Sequence, residues 1–345
     1  GDGSIERRKR EHLDLVLERP EALRPDVSSG FERYRFVHNA LPEIDFDEID
    51  TSTALLGKRL AAPLYITAMT GGAAGTGEIN RRLAAAAQRF GIGMGVGSQR
   101  AALVDPSLAD SYRVRDVAPD ILLFANLGAV QLVRDVGLDD CRRVVEMIEA
   151  DALALHLNPV QEAIQERGDT TFRGVLAAIE RVCQGLDVPV IVKEVGFGLS
   201  PAVVRRLVEA GVSAVDVAGA GGTSWSKIEG LRARDPVRQR AGQTFGSWGI
   251  PTAECLRALR DHPPGVPVLA SGGIRDGIEV AKAIALGAAA AGVGAGALSG
   301  AAVSEVDAAR YLESVIFELR VAMFGIGVRT VGELAATDAL VPALP

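Results

Sequence analysis

Three glycine-rich segments stand out in the second half of the chain: Gly219-Ala220-Gly221-Gly222-Thr223-Ser224, Ser271-Gly272-Gly273-Ile274-Arg275 and Gly294-Ala295-Gly296. Glycine lets backbone N–H groups approach a phosphate closely, and a helix starting there favours the anion. Thr223 adds a hydroxyl donor. One such loop is equally well explained as a tight turn, but the three together point to a phosphate cradle. The dinucleotide fingerprint is not met, because Gly91-x-Gly93-x-Gly95-x-Gly97 and Gly294-x-Gly296-x-x-x-Gly300 both have the wrong spacing.

Lys193 ends the apolar run Val190-Ile191-Val192. A buried ammonium needs an anionic or polar partner. Lys193 can serve as a Schiff-base amine, as a cation beside an electron-rich cofactor ring, or as half of a structural pair with Glu194 or Asp216. Glu162 follows Gln161 just past another apolar run. One carboxylate plus substrate phosphates is a common way to hold Mg²⁺, although most loop glutamates are simply solvated. His156 lies within that run and faces either a barrel interior or an outer helix layer; a lone strand histidine is more often a core residue than a catalyst. Arg8, Lys9 and Arg100 are suited to gather a phosphorylated substrate, since a charge pair at about 4 Å is worth about 4 kcal/mol at an effective dielectric of about 20. Taken alone, a charged helix start is usually a solvated face. Cys141, Cys183 and Cys255 form no CxxC and no His/Cys cluster, so no zinc site or disulfide framework is expected. No GxSxG nucleophile elbow is present.

Most of these residues fall where an apolar run ends. Eight such runs, at 64–68, 93–96, 121–125, 152–157, 190–193, 214–217, 268–270 and 290–293, alternate with amphipathic stretches such as 78–89, 201–210 and 277–286. Near-continuous apolar strands suit a parallel sheet buried on both faces. The spacing predicts an α/β fold, a (β/α)8 TIM barrel over 61–345 with C-terminal helices, preceded by an extension over 1–60. An open doubly wound sheet is the alternative. The extension opens with a charged helix carrying Leu13, Val16 and Leu17 on one face; Pro20 and Pro25 end it, and a polar segment runs on to about Leu60. At the other end, Ser304 caps a helix with Tyr311, Val315 and Leu319 in line, broken at Gly325-Ile326-Gly327 before a last short helix over 330–336.

The 345 residues carry 37 basic and 44 acidic side chains, a net charge of −7, which argues against a nucleic-acid binder. An odd cysteine count of three and the lack of an apolar signal region before the charged run at 6–11 suit a reducing cytoplasm. The uncharged stretch 283–303 is long enough to cross a bilayer. It is mostly alanine and glycine, however, and Leu, Ile and Phe drive insertion. It reads as a helix end, a buried strand and a glycine loop, so no membrane partner is expected.

Several blocks together resemble the type 2, FMN-dependent isopentenyl-diphosphate delta-isomerase family: RKREH (8–12), AMTGG (68–72), GSQR (97–100), LHLNPVQEAIQERGDTTF (155–172), VIVKEVGFGLS (190–200), GGTSW (221–225), SGGIRDG (271–277) and ALGA (285–288). The long fourth block is the most diagnostic. The resemblance implies that Ala68, Met69, Thr70, Ser98, Asn126, Lys193, Thr223, Gly273, Ile274, Arg275, Gly294 and Ala295 hold FMN. It implies that Arg8, Lys9, Ser98, Gln99, Arg100 and Gln161 hold isopentenyl or dimethylallyl diphosphate, that Glu162 holds Mg²⁺, and that Gln161, His156 and Lys193 serve catalysis. It further implies reduced FMN as acid/base with NADPH or NADH as reductant, an N-terminal arm closing over the site, and a homo-tetramer or homo-octamer. The chain departs from many members at Thr67, where they carry Asn, and at Ala218 and Ala220, where they carry Ser and Arg; all three sit near the expected flavin.

Other readings stay open at this level. A different flavin barrel enzyme, such as a 2-hydroxyacid oxidase, wants a His/Arg pair, yet the late His262 sits in a proline-rich turn. A class I aldolase would use Lys193 without flavin. An inert flavin-binding protein would have no reason to keep Gln161-Glu162 and Ser98-Gln99-Arg100.

Overall fold

The computed structural model describes residues 3–67 and 71–344. Eight short parallel strands close into a barrel. They are β1 (Leu64–Ile66), β2 (Gly93–Gly95), β3 (Leu123–Gly128), β4 (Ala152–His156), β5 (Val190–Lys193), β6 (Ala214–Asp216), β7 (Val268–Ala270) and β8 (Ala290–Val293). The ring closes where β8 pairs with β1, matching Gly292 to Tyr65. Their apolar side chains are buried on both faces, against the helices outside and against one another inside. The barrel expected from the spacing is thus the observed fold, and the doubly wound alternative falls.

The third strand differs from its expected limits. It runs through Asn126 to Gly128 because its ladder with β4 continues to the pair Gly128–His156. Residues 295–303, expected as a glycine loop, form the helix Ala295–Val303; small residues let it pack closely. No helix of the described residues is long and apolar enough to cross a membrane.

The extension is more structured than a polar segment. Helix α1 (Gly3–Glu18) buries Ile5 and Leu13. A hairpin of Thr53–Leu55 and Lys58–Leu60 packs Leu55 and Leu60 against Tyr65, Leu122, Phe124, Ile191 and Leu269. Strand Tyr34–Phe36 pairs antiparallel with Leu340–Pro342, tying the two ends of the chain together. Because Leu60 is 1% exposed, Leu60→Ala is expected to cost about 2–5 kcal/mol of stability through lost burial and a cavity. Denaturant unfolding reads this out, and an unchanged midpoint would show that the hairpin does not seal the barrel.

Candidate active site

Strand register sets the floor of the site. His156 of β4 stands opposite Lys193 of β5, which stands opposite Asp216 of β6. His156 and Lys193 line a cavity of about 440 Å³ at the C-terminal ends of the strands. Lys193 Nζ lies 4.0 Å from Asp216 Oδ2. Asp216 is also held by Tyr65 Oη at 2.7 Å, Ser271 Oγ at 2.8 Å and the Ala218 N–H at 3.1 Å. Of the two structural partners weighed for Lys193, Asp216 is therefore the near one. Glu194 turns away and accepts the N–H groups of Val195, Gly196 and Phe197, and burial lifts its carboxyl to about 7.

His156 faces the cavity rather than the outer helices. Its Nδ1 meets Asn126 Oδ1 at 2.8 Å, a diagonal contact across the β3–β4 ladder. Burial, together with the charges of Lys193 and Lys9, presses the imidazole down to about 3, so it is neutral at physiological pH.

The glycine loops after β6 and β7 interlock. A Cβ on Gly222 would lie 2.8 Å from the backbone nitrogen of Gly273, whose φ of 76° favours glycine. Among the described residues, the N–H groups of Gly222, Thr223, Gly273 and Ile274 meet no backbone acceptor. These donors line the cavity with Gly294, Ala295 and Arg275, where the helix Ala295–Val303 begins. Unpaired amides, a helix N-terminus and the Lys193 ammonium fit a phosphate-bearing anionic cofactor such as FMN. The Arg275 guanidinium itself is exposed and pairs with Glu279 at 3.2 Å. Ala68, Met69 and Thr70 lie outside the described residues.

The cationic side of the cavity is built by α1, the segment after β2 and the helix α2 (Pro159–Ile164). Asn158-Pro159 starts α2, with proline at the first helical position where its missing N–H costs nothing. Asn158 Nδ2 then donates to Gln161 Oε1 at 3.0 Å and to Glu162 Oε1 at 3.1 Å. Lys9 Nζ donates to the Ser98 carbonyl at 2.8 Å. Arg8, Ser98, Arg100, Gln161 and Glu162 all line the cavity. Burial raises the Glu162 carboxyl above its usual range; the Asp169 N–H and the Arg8 charge oppose that, while the Asp169 carboxylate charge adds to it. Glu162 supplies hard oxygen ligands, and the described residues contain no cluster of three or more His, Cys, Asp or Glu suited to a metal. A Mg²⁺ held here would complete its shell with substrate oxygens and water.

Gln99 is placed differently. Its side chain is buried between strand and helix, where Nε2 donates to the Val144 carbonyl at 2.9 Å and Oε1 accepts the Asn126 N–H at 2.9 Å. It braces β2 and β3 and does not line the cavity.

Glu229 was not legible as a site residue. It lies on α3 (Trp225–Arg232), capped by Ser224, and its carboxylate is buried. Oε1 meets His12 Nε2 at 2.8 Å and Gln161 Nε2 at 3.1 Å, and Oε2 accepts from Arg232 at 2.6 Å. Burial alone would raise its pKa, but His12, Arg232 and Gln161 together hold it below the usual range. Trp225 edges onto the His12 ring at 5.1 Å. The spacing of Trp225 and Glu229, one helical turn apart, was visible, but His12, 217 residues away, was not.

Lys9 gives a pH test. Burial, then Arg8, brings its ammonium down to about 7. An anionic ligand should restore the proton, so uptake on binding is expected between about pH 7 and the ordinary lysine range. Pyrophosphate affinity of the parent should fall above pH 7 relative to Lys9→Met. Calorimetry in two buffers of different ionisation enthalpy would count the proton, and identical pH slopes for the two proteins would refute it.

A model of the FMN-dependent dehydrogenase family matches residues 7–110 and 137–341. The chain belongs to that family. Within it, the chain is 51% identical over 333 residues to the isopentenyl-diphosphate delta-isomerase of Nostoc sp. (96% of this chain, 95% of that protein). It is 54% identical over 327 residues to the isopentenyl-diphosphate delta-isomerase of Stutzerimonas stutzeri (94% of each). The isomerase resemblance carried by the sequence blocks is thereby borne out. Among solved structures, a mandelate oxidase variant superposes with a TM-score of 0.65 at 20% identity, covering 99% of both chains. A flavocytochrome b2 variant superposes with a TM-score of 0.67 at 19% identity, covering 91% of this chain and 77% of that one. At such identities these neighbours speak for the barrel fold alone.

Proposed function

We propose that the chain is an FMN-dependent isopentenyl-diphosphate delta-isomerase, interconverting isopentenyl and dimethylallyl diphosphate by a 1,3-proton shift. The observation that carries this reading is the division of a single cavity. Arg8, Lys9, Ser98, Arg100 and Glu162 gather on the β2 and β4 side, and Lys193 and the glycine loops on the β5 to β8 side. His156 stands between, within electrostatic reach of both Lys9 and Lys193.

Arg8, Lys9 and Arg100 bind the diphosphate, and Glu162 would hold Mg²⁺, which would offset the diphosphate's negative charge. That anchorage directs the hydrocarbon end toward Lys193. Gln161 is held at both ends of its amide, by Asn158 and by Glu229, so it meets the substrate in one orientation. His156 stays neutral and adds no second positive charge beside Lys193. Helix α1 lines the cavity with the apolar Ile5, Leu13 and Val16 beside Arg8, Lys9 and His12. A carboxyl group is a weak acid for an unactivated alkene, and the three cysteines lie outside the cavity. Reduced FMN, when bound, supplies the acid/base group, with Ser98, Asn126, Lys193, Thr223, Gly273, Ile274, Arg275, Gly294 and Ala295 holding it. NADPH or NADH as reductant, a cytoplasmic location and assembly as a homo-tetramer or homo-octamer complete the proposed reading.

Purified protein with FMN, Mg²⁺ and a reductant, kept anaerobic, is expected to convert isopentenyl to dimethylallyl diphosphate. Lack of turnover there would overturn the proposal, and bleaching of the flavin by lactate or glycolate would favour the oxidase chemistry instead.

A further inference from the structure

The loop after α2 makes an abrupt return. Arg167 takes a left-handed φ of 60°, and Gly168 passes so close to the Glu162 carbonyl that no Cβ would fit. The next residue, Asp169, is thereby brought back against α2, where its N–H donates to Glu162 Oε2 at 2.7 Å. Its carboxylate, 12% exposed, turns to the other partner set. Oδ2 accepts from Gln131 Nε2 at 2.6 Å and from Arg100 Nη1 at 3.2 Å, and Oδ1 pairs with Arg134.

The Asp169 carboxylate is shared between the guanidinium groups of Arg100 and Arg134, and its contact with Arg100 fixes where that guanidinium lies. Arg100 also reaches Asp135 at 3.6 Å, while its Nε is buried with no hydrogen-bond partner. A desolvated donor on a cavity-lining arginine calls for an acceptor from a ligand.

We propose that Asp169 is the positioning residue of the diphosphate site. Its carboxylate sets the angle of the Arg100 guanidinium while its N–H sets the Glu162 carboxylate. One residue thus aligns the cation that meets phosphate with the carboxylate that meets Mg²⁺. The inference rests on the diphosphate reading above.

The test uses the whole FMN-loaded protein, Mg²⁺ with inorganic pyrophosphate as the calorimetric probe, and steady-state constants for isopentenyl diphosphate. Asp169→Asn is expected to weaken pyrophosphate binding about 10- to 100-fold, the usual range for a partner behind a metal ligand. KM should rise in parallel, with kcat kept within about threefold and with flavin retention and unfolding temperature unchanged. In an Arg100→Met background the same change should add little, because the carboxylate acts through Arg100. Parent-like affinity in Asp169→Asn, or a full further loss in the Arg100→Met background, overturns the proposal. Failure of the parent itself to bind Mg²⁺–pyrophosphate overturns the diphosphate reading instead. If Asp169→Asn does not fold, Gln131→Leu removes the hydrogen bond to the same carboxylate oxygen and must raise KM; an unchanged KM there is equally decisive against it.

Discussion

Glu162→Gln is expected to lower kcat/KM for isopentenyl diphosphate by about 100- to 1,000-fold, or about 3–4 kcal/mol of transition-state stabilisation. The amide keeps the shape of the carboxylate, and its oxygen can still accept the Asp169 N–H, now at 2.7 Å from Glu162 Oε2. What disappears is the negative charge and one hard oxygen ligand. With no group of three or more His, Cys, Asp or Glu suited to a metal among the described residues, no ready-made ligand set replaces it. The concentration of Mg²⁺ giving half-maximal rate should therefore rise steeply, whereas flavin content should stay at the parent level. Equal Mg²⁺ dependence in the two proteins would remove Glu162 from the metal site. The pH sense follows from burial: because the Glu162 carboxyl is raised above its usual range, the ligand form is lost as pH falls, and Mg²⁺ affinity should weaken on the acid side first. Folding runs the other way: burying a carboxylate with a raised pKa costs stability above its unfolded value, and that cost lifts as pH falls and the group protonates.

The second large effect is expected at Lys193. Its ammonium is the cavity's partner for Asp216, 4.0 Å away, and the register places it between His156 and Asp216. Lys193→Ala removes a positive charge from a largely buried site and leaves Asp216 with its bonds to Tyr65, Ser271 and the Ala218 N–H. A cation next to an anionic reduced flavin is worth up to about 4 kcal/mol at an effective dielectric of about 20. The variant should lose flavin on gel filtration, and reduced FMN should be released more readily than oxidised FMN. A redox titration should accordingly show a lower midpoint potential for any flavin that stays bound. Full occupancy after gel filtration, with an unshifted potential, would assign Lys193 a purely structural pairing with Asp216.

Much of the barrel is readable in the sequence, because its signal is local. A parallel strand buried on both faces must be apolar along its length, and seven of the eight runs lie within about a residue or two of the observed strands. The exception, β3, shows where a local signal ends. Asn126 and Gly128 look like loop residues by type, yet pairing with Ala154 and His156 keeps them extended. The helix Ala295–Val303 escaped for the converse reason: glycine and alanine carry little apolar pattern, and neighbouring packing decides their conformation. Thr67 and Ala218, two of the departures from the isomerase pattern, do line the cavity, and Ala220 is buried beside it with its N–H bonded to Ile250.

Residue types and their placement at strand ends were enough to determine the parallel barrel, the end of it that carries chemistry, and the short set of charged and glycine residues found there. Those are consequences of neighbours along the chain: burial period, turn chemistry and the cost of an unpaired ammonium in an apolar strand. Tertiary structure alone decided which side chains face the cavity. It turned Gln99 away into a brace, turned His156 inward as a neutral imidazole, and brought Glu229, His12 and Asp169 to the site from three separate segments. The physical reason is that a hydrogen bond or ion pair acts over about 3–4 Å, while the partners here are set by barrel register and by the docking of α1, neither of which leaves a periodic trace in the sequence.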